Sequence, residues 1–124
     1  MVAYTAVDDF GTRLNPKIVE GQVHGGVAMA IGEVLMENFI YDTESGEVLT
    51  GSWCDCALPR AVDIPPIVCV DNGMFCNTNA LGFKACGESG ATAALPVLMN
   101  AIIDALRPFK GAEQLQLPAR PGDI

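Results

Sequence analysis

The stretch from Lys84 to Gly90, KACGESG, holds the residues of this chain whose types and spacing best suit chemistry. Its one carboxylate, Glu88, stands between Gly87 and Gly90 and precedes a long apolar run. Glycines allow a ligand to approach the main chain closely, and free N–H groups at the start of a helix attract anionic ligands. Glu88 could therefore act as a general base in a pocket. Alternatively, it is an idle carboxylate at a helix start, and the stretch taken alone favours this second interpretation.

Other reactive side chains are weaker candidates for catalysis or metal binding. Cys86 could form a thiolate beside Lys84 and a helix start, but no histidine stands nearby to act as its base. His24 is the one histidine, so a buried or helix-capping role is favoured over a metal-binding role. The five cysteines form no C-x2-C pair, and Cys54 and Cys56 would share one face if they lay on a strand. The sequence thus predicts no metal ion held directly by protein side chains.

Composition limits the class of protein. A chain of 124 residues, 50% of them hydrophobic, predicts one domain with a substantial core. The formal net charge of −8 argues against a nucleic-acid partner, which requires a positive surface. No apolar run reaches the ~18 residues of a membrane span, and the first residues lack the basic start of a secretory signal. Unpaired cysteines suit a reducing compartment, so we expect a cytoplasmic protein.

Two helices and several short strands are predicted to position these residues. Residues 1–11 alternate apolar and polar side chains and end in Gly11, which predicts a strand followed by a turn. Asn15 and Pro16 predict the start of a helix of about 25 residues, with apolar residues at every fourth position. A stripe of small residues on this helix predicts close packing on a neighbouring element or, less favoured, close approach of a flat ligand: Gly21, Gly25, Ala28 and Gly32.

The rest of the chain predicts a hairpin, a strand, a second helix and a tail. Turn residues 42–46 lie between two short extended pieces, and IVCV at 67–70 predicts a short buried strand. Helical spacing of apolar residues from Ala91 to Leu106 predicts a second helix, whose regular part begins near Ala93 because Pro96 disturbs its first turn. Residues 111–124 are predicted to form an extended, partly mobile tail. The order of elements indicates an α+β fold, with two main helices packed on one small sheet.

Three sequence motifs together resemble one known family. They are EGQVHGG at 20–26, LTGSWCDCALPRAVDIP at 49–65 and NALGFKACGESG at 79–90. With this combination the chain resembles, from Ala6 to about Leu117, the C-terminal part of the molybdenum-binding large subunit of the xanthine dehydrogenase family. Aldehyde oxidoreductases and carbon monoxide dehydrogenase belong to the same family. The resemblance implies that residues 1–124 are one domain, the C-terminal portion of a larger molybdopterin-binding domain.

The resemblance also implies a cofactor and roles for individual residues. The cofactor is a molybdopterin-bound molybdenum, often the cytosine dinucleotide form in bacterial members, and the pterin dithiolene holds the metal. Glu88 matches the family's base, which acts on the hydroxyl that attacks an electron-poor carbon of an aldehyde, an N-heterocycle or a similar small substrate. The positions expected to contact the cofactor are Gln22, Met29, Lys84, Ala85, Cys86 and Gly87. Met29 replaces a glutamine found in many members and cannot donate that residue's hydrogen bond.

Further partners are implied by the family's electron path. Electrons leave through iron–sulfur clusters to flavin on other domains or subunits, so we expect the remaining part of a large subunit, an iron–sulfur subunit and a flavin subunit in an oligomeric complex. Because a site built from distant segments is incomplete on this chain, we expect that the chain alone neither retains the cofactor nor turns over substrate. Two alternatives remain open: a non-catalytic remnant or interaction domain that keeps the fold, and an unrelated small enzyme that uses Glu88 or Cys86.

Overall fold

Two helices and a two-stranded sheet form the frame of the chain. The structure, a computed structural model, describes residues 1–122. Its main elements are, in chain order, β1 (Tyr4–Asp8), α1 (Pro16–Leu35), β2 (Ile67–Asp71) and α2 (Ser89–Ala105). The two strands are parallel, with Tyr4 opposite Ile67 and Asp8 opposite Asp71. Parallel strands need a long crossover connection, and α1 lies within it. The predicted α+β fold, with two main helices and one small sheet, is confirmed.

Helix α1 begins where its sequence predicts. The Asn15 side chain caps it by accepting a hydrogen bond of 3.2 Å from the Ile18 N–H, and Pro16 occupies the first turn. The helix ends at Leu35, where the Met36 and Glu37 N–H groups both donate to the Gly32 carbonyl. It therefore has 20 residues rather than about 25, and spans about 30 Å.

The hydrophobic core lies between α1 and the elements on either side of it. The α1 side chains Val23, Val27, Ile31 and Val34 are at most 1% exposed. Phe10, which follows β1, joins this cluster, and so do α2 residues Ala94 and Leu98. Burial of such side chains is the main stabilising contribution to the fold, on the order of 2 kcal/mol for each large one.

Helices α1 and α2 cross at a pair of glycines. A Cβ built on Gly26 would lie 2.6 Å from the Ala91 nitrogen, and one built on Gly90 would lie 2.5 Å from the Val23 carbonyl oxygen. Both distances are shorter than any real contact of a Cβ, so this crossing requires glycine on both helices. Close packing was predicted for a different stripe: Gly21 and Gly25 of that stripe have no neighbour within 4 Å, whereas a Cβ on Gly32 would lie 2.9 Å from Pro59 Cδ.

Helix α2 begins earlier than predicted. It starts at Ser89, four residues before Ala93, and contains Pro96 in its interior. Proline removes one N–H donor and crowds the preceding turn. The carbonyl that loses this partner belongs to Thr92, an exposed residue that water can reach. The helix therefore accommodates the proline without a break.

Strand β2 and the tail also differ from expectation. The predicted buried strand is half exposed, since Val68 and Val70 are 52% and 44% exposed on its outer face. The tail is not simply extended, because it contains a 3-10 helix at Ala112–Gln114, and its Ala112 and Ala119 are buried. The Ala119 N–H donates to the Val34 carbonyl at 2.6 Å, which ties the tail to α1. The last two residues of the predicted tail lie outside the described range.

The connection from α1 to β2 contains the predicted hairpin turn. Tyr41 and Val48 form an antiparallel bridge, and Gly46 adopts a positive φ of 76° in the turn between them. Cys54 and Cys56 lie in turns rather than on a strand. A short 3-10 helix at Ala61–Asp63 then leads to β2. Within residues 1–122, no helix is both long and apolar enough to cross a membrane.

Candidate active site

A cleft of about 450 Å³ opens beside the crossing of α1 and α2. Its α1 side is lined by Gly21, Gln22, Gly25, Gly26 and Met29, and its α2 side by Gly87, Glu88, Ala91, Thr92 and Leu95. A Cβ added to Gly21, Gly25 or Gly87 would meet no atom within 4 Å. These glycines therefore leave the backbone open to a ligand; of the two explanations offered for the small-residue stripe, Gly21 and Gly25 fit the second, whereas Gly32 packs closely on Pro59 and fits the first.

Glu88 lies at the N-terminus of α2. It is the N-cap residue, and its side chain forms no capping hydrogen bond, so the carboxylate is not engaged by the helix it precedes. Its main chain is fixed instead, because the Glu88 carbonyl accepts hydrogen bonds from the N–H of Ala91 at 3.1 Å and of Thr92 at 3.0 Å. The Thr92 hydroxyl adds a third bond to the same carbonyl at 3.0 Å. A fixed backbone thus carries an exposed, free carboxylate into the cleft.

Four of the seven predicted site residues line this cleft, and three do not. Gln22, Met29, Gly87 and Glu88 come together there, although Gln22 and Met29 lie more than 50 residues from Glu88 in the chain. Lys84, Ala85 and Cys86 are not among the lining residues. Cys86 packs against the core, and its carbonyl accepts a hydrogen bond of 2.9 Å from the Ser89 hydroxyl.

Lys84 is held by an aspartate that the sequence analysis did not single out. Its ammonium group forms a short ion pair with Asp9, and its N–H donates to the Phe10 carbonyl at 2.9 Å. Asp9 also accepts hydrogen bonds from the N–H groups of Gly11 at 3.0 Å and Met74 at 2.9 Å. The hydrogen bond from Lys84, followed by those two backbone bonds, lowers the pKa of Asp9 to about 2. This network anchors the segment that precedes Glu88 to the end of β1.

Sequence reasoning also missed part of the cleft wall on α2. Ala91, Thr92 and Leu95 follow Glu88 at helical spacing, which is the signal that could have placed them on one face with it. Gly26 was not singled out because the four-residue stripe passes beside it. The position of Gly26 becomes evident only when α2 is packed against α1.

The cleft suits a flat group that approaches the backbone. Its lining is mostly small, and Glu88 is its one charged residue among those described. The N–H groups of Ala91 and Thr92 already donate to the Glu88 carbonyl, so the donors left at the start of α2 are the N–H groups of Ser89 and Gly90, and the Gln22 amide offers a further one. The glycine surface supplies space that any side chain would fill. The residues present therefore fit a flat pterin group.

Comparison with known proteins identifies the family of this chain. Residues 1–65 match the family model of the molybdopterin cofactor-binding domain. The chain is 40% identical over 119 residues to the nicotine 6-hydroxylase large subunit of Paenarthrobacter nicotinovorans, covering 96% of this chain and 14% of that protein. It is 38% identical over 115 residues to the carbon monoxide dehydrogenase large chain of Afipia carboxidovorans, covering 93% of this chain and 14% of that one.

Solved structures show the same relationship. A crystal structure of Cu,Mo-CO dehydrogenase aligns with a TM-score of 0.88 at 35% identity, over 96% of this chain and 15% of that chain. Quinoline 2-oxidoreductase from Pseudomonas putida 86 aligns with a TM-score of 0.85, also at 35% identity, over 97% of this chain and 15% of that one. The sequence thus spans about one seventh of the length of the relatives that it matches.

Proposed function

This chain belongs to the molybdopterin cofactor-binding domain family, and we propose that it forms the part of a molybdenum hydroxylase large subunit that carries the catalytic base, Glu88. The observation that carries the proposal is the free carboxylate of Glu88 beside a glycine-lined cleft. The substrate class is a small molecule with an electron-poor carbon, such as an aldehyde or an N-heterocycle. The chain acts as one domain together with the remaining part of that subunit.

The cofactor that fits the cleft is a molybdopterin-type molybdenum cofactor, in the cytosine dinucleotide form. When bound, it supplies an acidified oxygen nucleophile and accepts the electrons of the oxidation. Gln22 donates a hydrogen bond to the cofactor from its amide, and Met29 contributes an apolar contact only. Gly87 and the N–H group of Ser89 contact it through the main chain. Lys84 and Cys86 act indirectly, by fixing the loop through Asp9, Phe10 and the core.

Glu88 has one task in this arrangement. A carboxylate oxygen of Glu88 accepts the proton that the nucleophile gives up as it attacks the substrate carbon, and later releases this proton to water. Its freedom from helix capping supports this role, because a carboxylate bound to backbone N–H groups would be a weaker base. The three hydrogen bonds to its carbonyl keep its Cα in place while the side chain takes and releases the proton.

The rest of the large subunit is the first partner of this chain. Val7, Val68 and Val70 leave the outer face of the two-stranded sheet between 44% and 62% exposed. Parallel sheets are normally covered on both faces, so this face requires a cover. Iron–sulfur clusters and flavin lie on other domains or subunits, which makes the complete enzyme a cytoplasmic oligomer.

A chimeric enzyme tests the proposal. The segment of quinoline 2-oxidoreductase that aligns with this chain is replaced by residues 1–124, and the purified chimera is assayed for molybdenum content and quinoline oxidation. Glu88→Gln is expected to lower kcat by a factor of about 10² to 10⁴, the usual contribution of a general base, with molybdenum content unchanged. Glu44→Gln, in the exposed hairpin turn, is the matched control and is expected to leave both readings unchanged.

Three results would contradict the proposal. A Glu88→Gln chimera with full turnover would exclude the base role and favour a non-catalytic interaction domain. Loss of molybdenum together with activity would make Glu88 a binding group rather than a base. A chimera with the unaltered segment that fails to load molybdenum would show that this chain does not complete the cofactor site. The isolated chain is expected to hold less than one tenth of an equivalent of molybdenum and to be inactive.

A further inference from the structure

A second group of reactive side chains lies on the face of α1 that points away from the cleft. Glu20 and His24 are four residues apart on that helix, and Cys69 lies on the inner face of β2. Successive helical residues are about 100° apart around the axis, so Glu20 and His24 share one face while Gln22 and Met29 lie on the opposite one. One ligand-type atom from each of the three residues lies within 4.8 Å of the others.

The imidazole of His24 has a nitrogen that lacks a partner. Its Nε2 atom is buried, and among residues 1–122 it forms no hydrogen bond. Glu20 Oε1 is 4.0 Å away, which is too far for a hydrogen bond. Buried polar atoms are nearly always paired in folded proteins, so this ring nitrogen is available to a ligand. The side chain as a whole is 43% exposed, so it is neither the buried nor the capping histidine that the sequence predicted.

We propose that Glu20, His24 and Cys69 form a binding site for a divalent zinc-like cation. The donors would be a carboxylate oxygen of Glu20, the Nε2 of His24 and the thiolate sulfur of Cys69, whose proton is released to solvent on binding. Sulfur and imidazole donors favour zinc over magnesium or calcium, which prefer oxygen ligands. Sequence reasoning missed this site because it looked for a second histidine, whereas the fold supplies a cysteine from a strand 45 residues further along the chain.

The required geometry is within reach of these side chains. In a tetrahedral zinc site, with bonds of about 2.0 Å to nitrogen or oxygen and 2.3 Å to sulfur, the ligand atoms lie about 3.3 to 3.7 Å apart. The present separations of up to 4.8 Å must therefore shorten by about 1 Å, which small side-chain rotations provide. All three residues lie within regular elements, Glu20 and His24 on α1 and Cys69 on β2.

Three protein ligands leave a fourth position for water. A cleft of about 160 Å³ reaches Glu20 and Cys69 from the side of Asp8 and Asp71, and it provides a path for the ion. Arg13 and Lys17 line this cleft as well, and Arg13 forms an ion pair with Asp71 at 2.8 Å. The site is thus accessible and has the open coordination of a zinc ion that keeps a water ligand.

Titration of the reduced 124-residue chain with Co²⁺, a spectroscopic substitute for zinc, tests the proposal. We expect one equivalent to bind, with a thiolate-to-cobalt charge-transfer band that Zn²⁺ displaces and excess Mg²⁺ does not. Cys69→Ser should abolish the band, and Glu20→Gln and His24→Gln should each weaken binding at least tenfold. The double variant Cys54→Ser with Cys56→Ser is the control, and it should bind as the unaltered chain does.

Each other outcome would overturn the proposal. Absence of a thiolate band in the unaltered chain excludes the site, as does a band that Cys69→Ser keeps and the Cys54/Cys56 control loses. Far-UV circular dichroism establishes that each variant is folded. Glu20 is exposed on α1, so Glu20→Gln keeps the fold even where Cys69→Ser does not, and unchanged affinity in Glu20→Gln contradicts the three-ligand site. None of these measurements involves molybdenum or Glu88, so the result is independent of the proposed function.

Discussion

Replacement of Gly26, at the crossing of α1 and α2, by alanine should push the two helices apart. In Gly26→Ala, the new Cβ would lie 2.6 Å from the Ala91 nitrogen and 2.8 Å from both the Cα and the carbonyl carbon of Gly90. Ordinary contacts of a Cβ begin at 3.4 Å, so the start of α2 must move by about 0.8 Å. All three obstructing atoms belong to the backbone, so no side-chain rotation relieves the contact.

The expected change in unfolding free energy is the difference between two opposing effects. Overpacking of this kind costs about 1 to 3 kcal/mol, and a contact with backbone atoms belongs at the upper end of that range. Alanine stabilises a helix interior by about 1 kcal/mol relative to glycine. The net result for Gly26→Ala is a loss of about 2 kcal/mol of unfolding free energy. Gly25→Ala, where the new Cβ meets nothing within 4 Å, should instead gain about 1 kcal/mol.

Urea unfolding of the 124-residue chain, followed by far-UV circular dichroism, measures both changes. Two adjacent glycines in one helix should differ by about 3 kcal/mol in opposite directions, which helix propensity alone does not explain. Gly90→Ala should reproduce the loss, because its Cβ would lie 2.5 Å from the Val23 carbonyl oxygen. Equal stabilities of Gly25→Ala and Gly26→Ala would refute the close crossing of the two helices.

Two further predictions concern stability. Hydrogen bonds from Lys84, Met74 and Gly11 lower the pKa of Asp9 to about 2. The ionised Asp9 therefore stabilises the fold fully above the ordinary pKa of 3.8, and this stabilisation is lost as the pH falls through about 2. Asp9→Asn should therefore flatten the decline in stability between about pH 4 and pH 2, and an unchanged acid-unfolding curve would contradict this. Asn15→Ala removes the cap of α1 and should cost about 1 kcal/mol in urea unfolding, whereas a loss below a few tenths would show that the cap is not needed.

The sequence predicts those parts of the fold that local rules determine. Asn15 and Pro16 place the start of α1 because a capping side chain and a fixed φ act within one turn. The hairpin at 42–46 is equally local. The end of α1 and the burial of Ala119 depend on contacts between distant segments, such as the Ala119–Val34 hydrogen bond, which no local pattern contains. The start of α2 was misplaced because the rule against proline was applied without regard to the solvent around Thr92.

The candidate site, like the fold, has some features that the sequence predicts and others that it does not. Glu88 was a candidate from its chemical setting, but its role as a base came from the resemblance of its motif to a family, as did the roles of Gln22 and Met29. The position of Lys84 could not be predicted from the sequence, because its ammonium group turns to Asp9, a residue 75 positions earlier in the chain. A motif residue can thus contribute by holding a loop, although its position in the motif suggests contact with a ligand.

The position of Glu88 depends on the absence of a Cβ atom at the two glycines of the helix crossing. Glu88 precedes Gly90 by two residues, and Gly90 reaches the α1 backbone only because neither it nor Gly26 has a side chain. Any Cβ at this crossing would move the start of α2, and the Glu88 carboxylate with it, away from Gln22 across the cleft. The glycines of EGQVHGG and GESG therefore have two separate tasks. Gly26 and Gly90 set the distance between the helices, whereas Gly21, Gly25 and Gly87 keep the resulting space open.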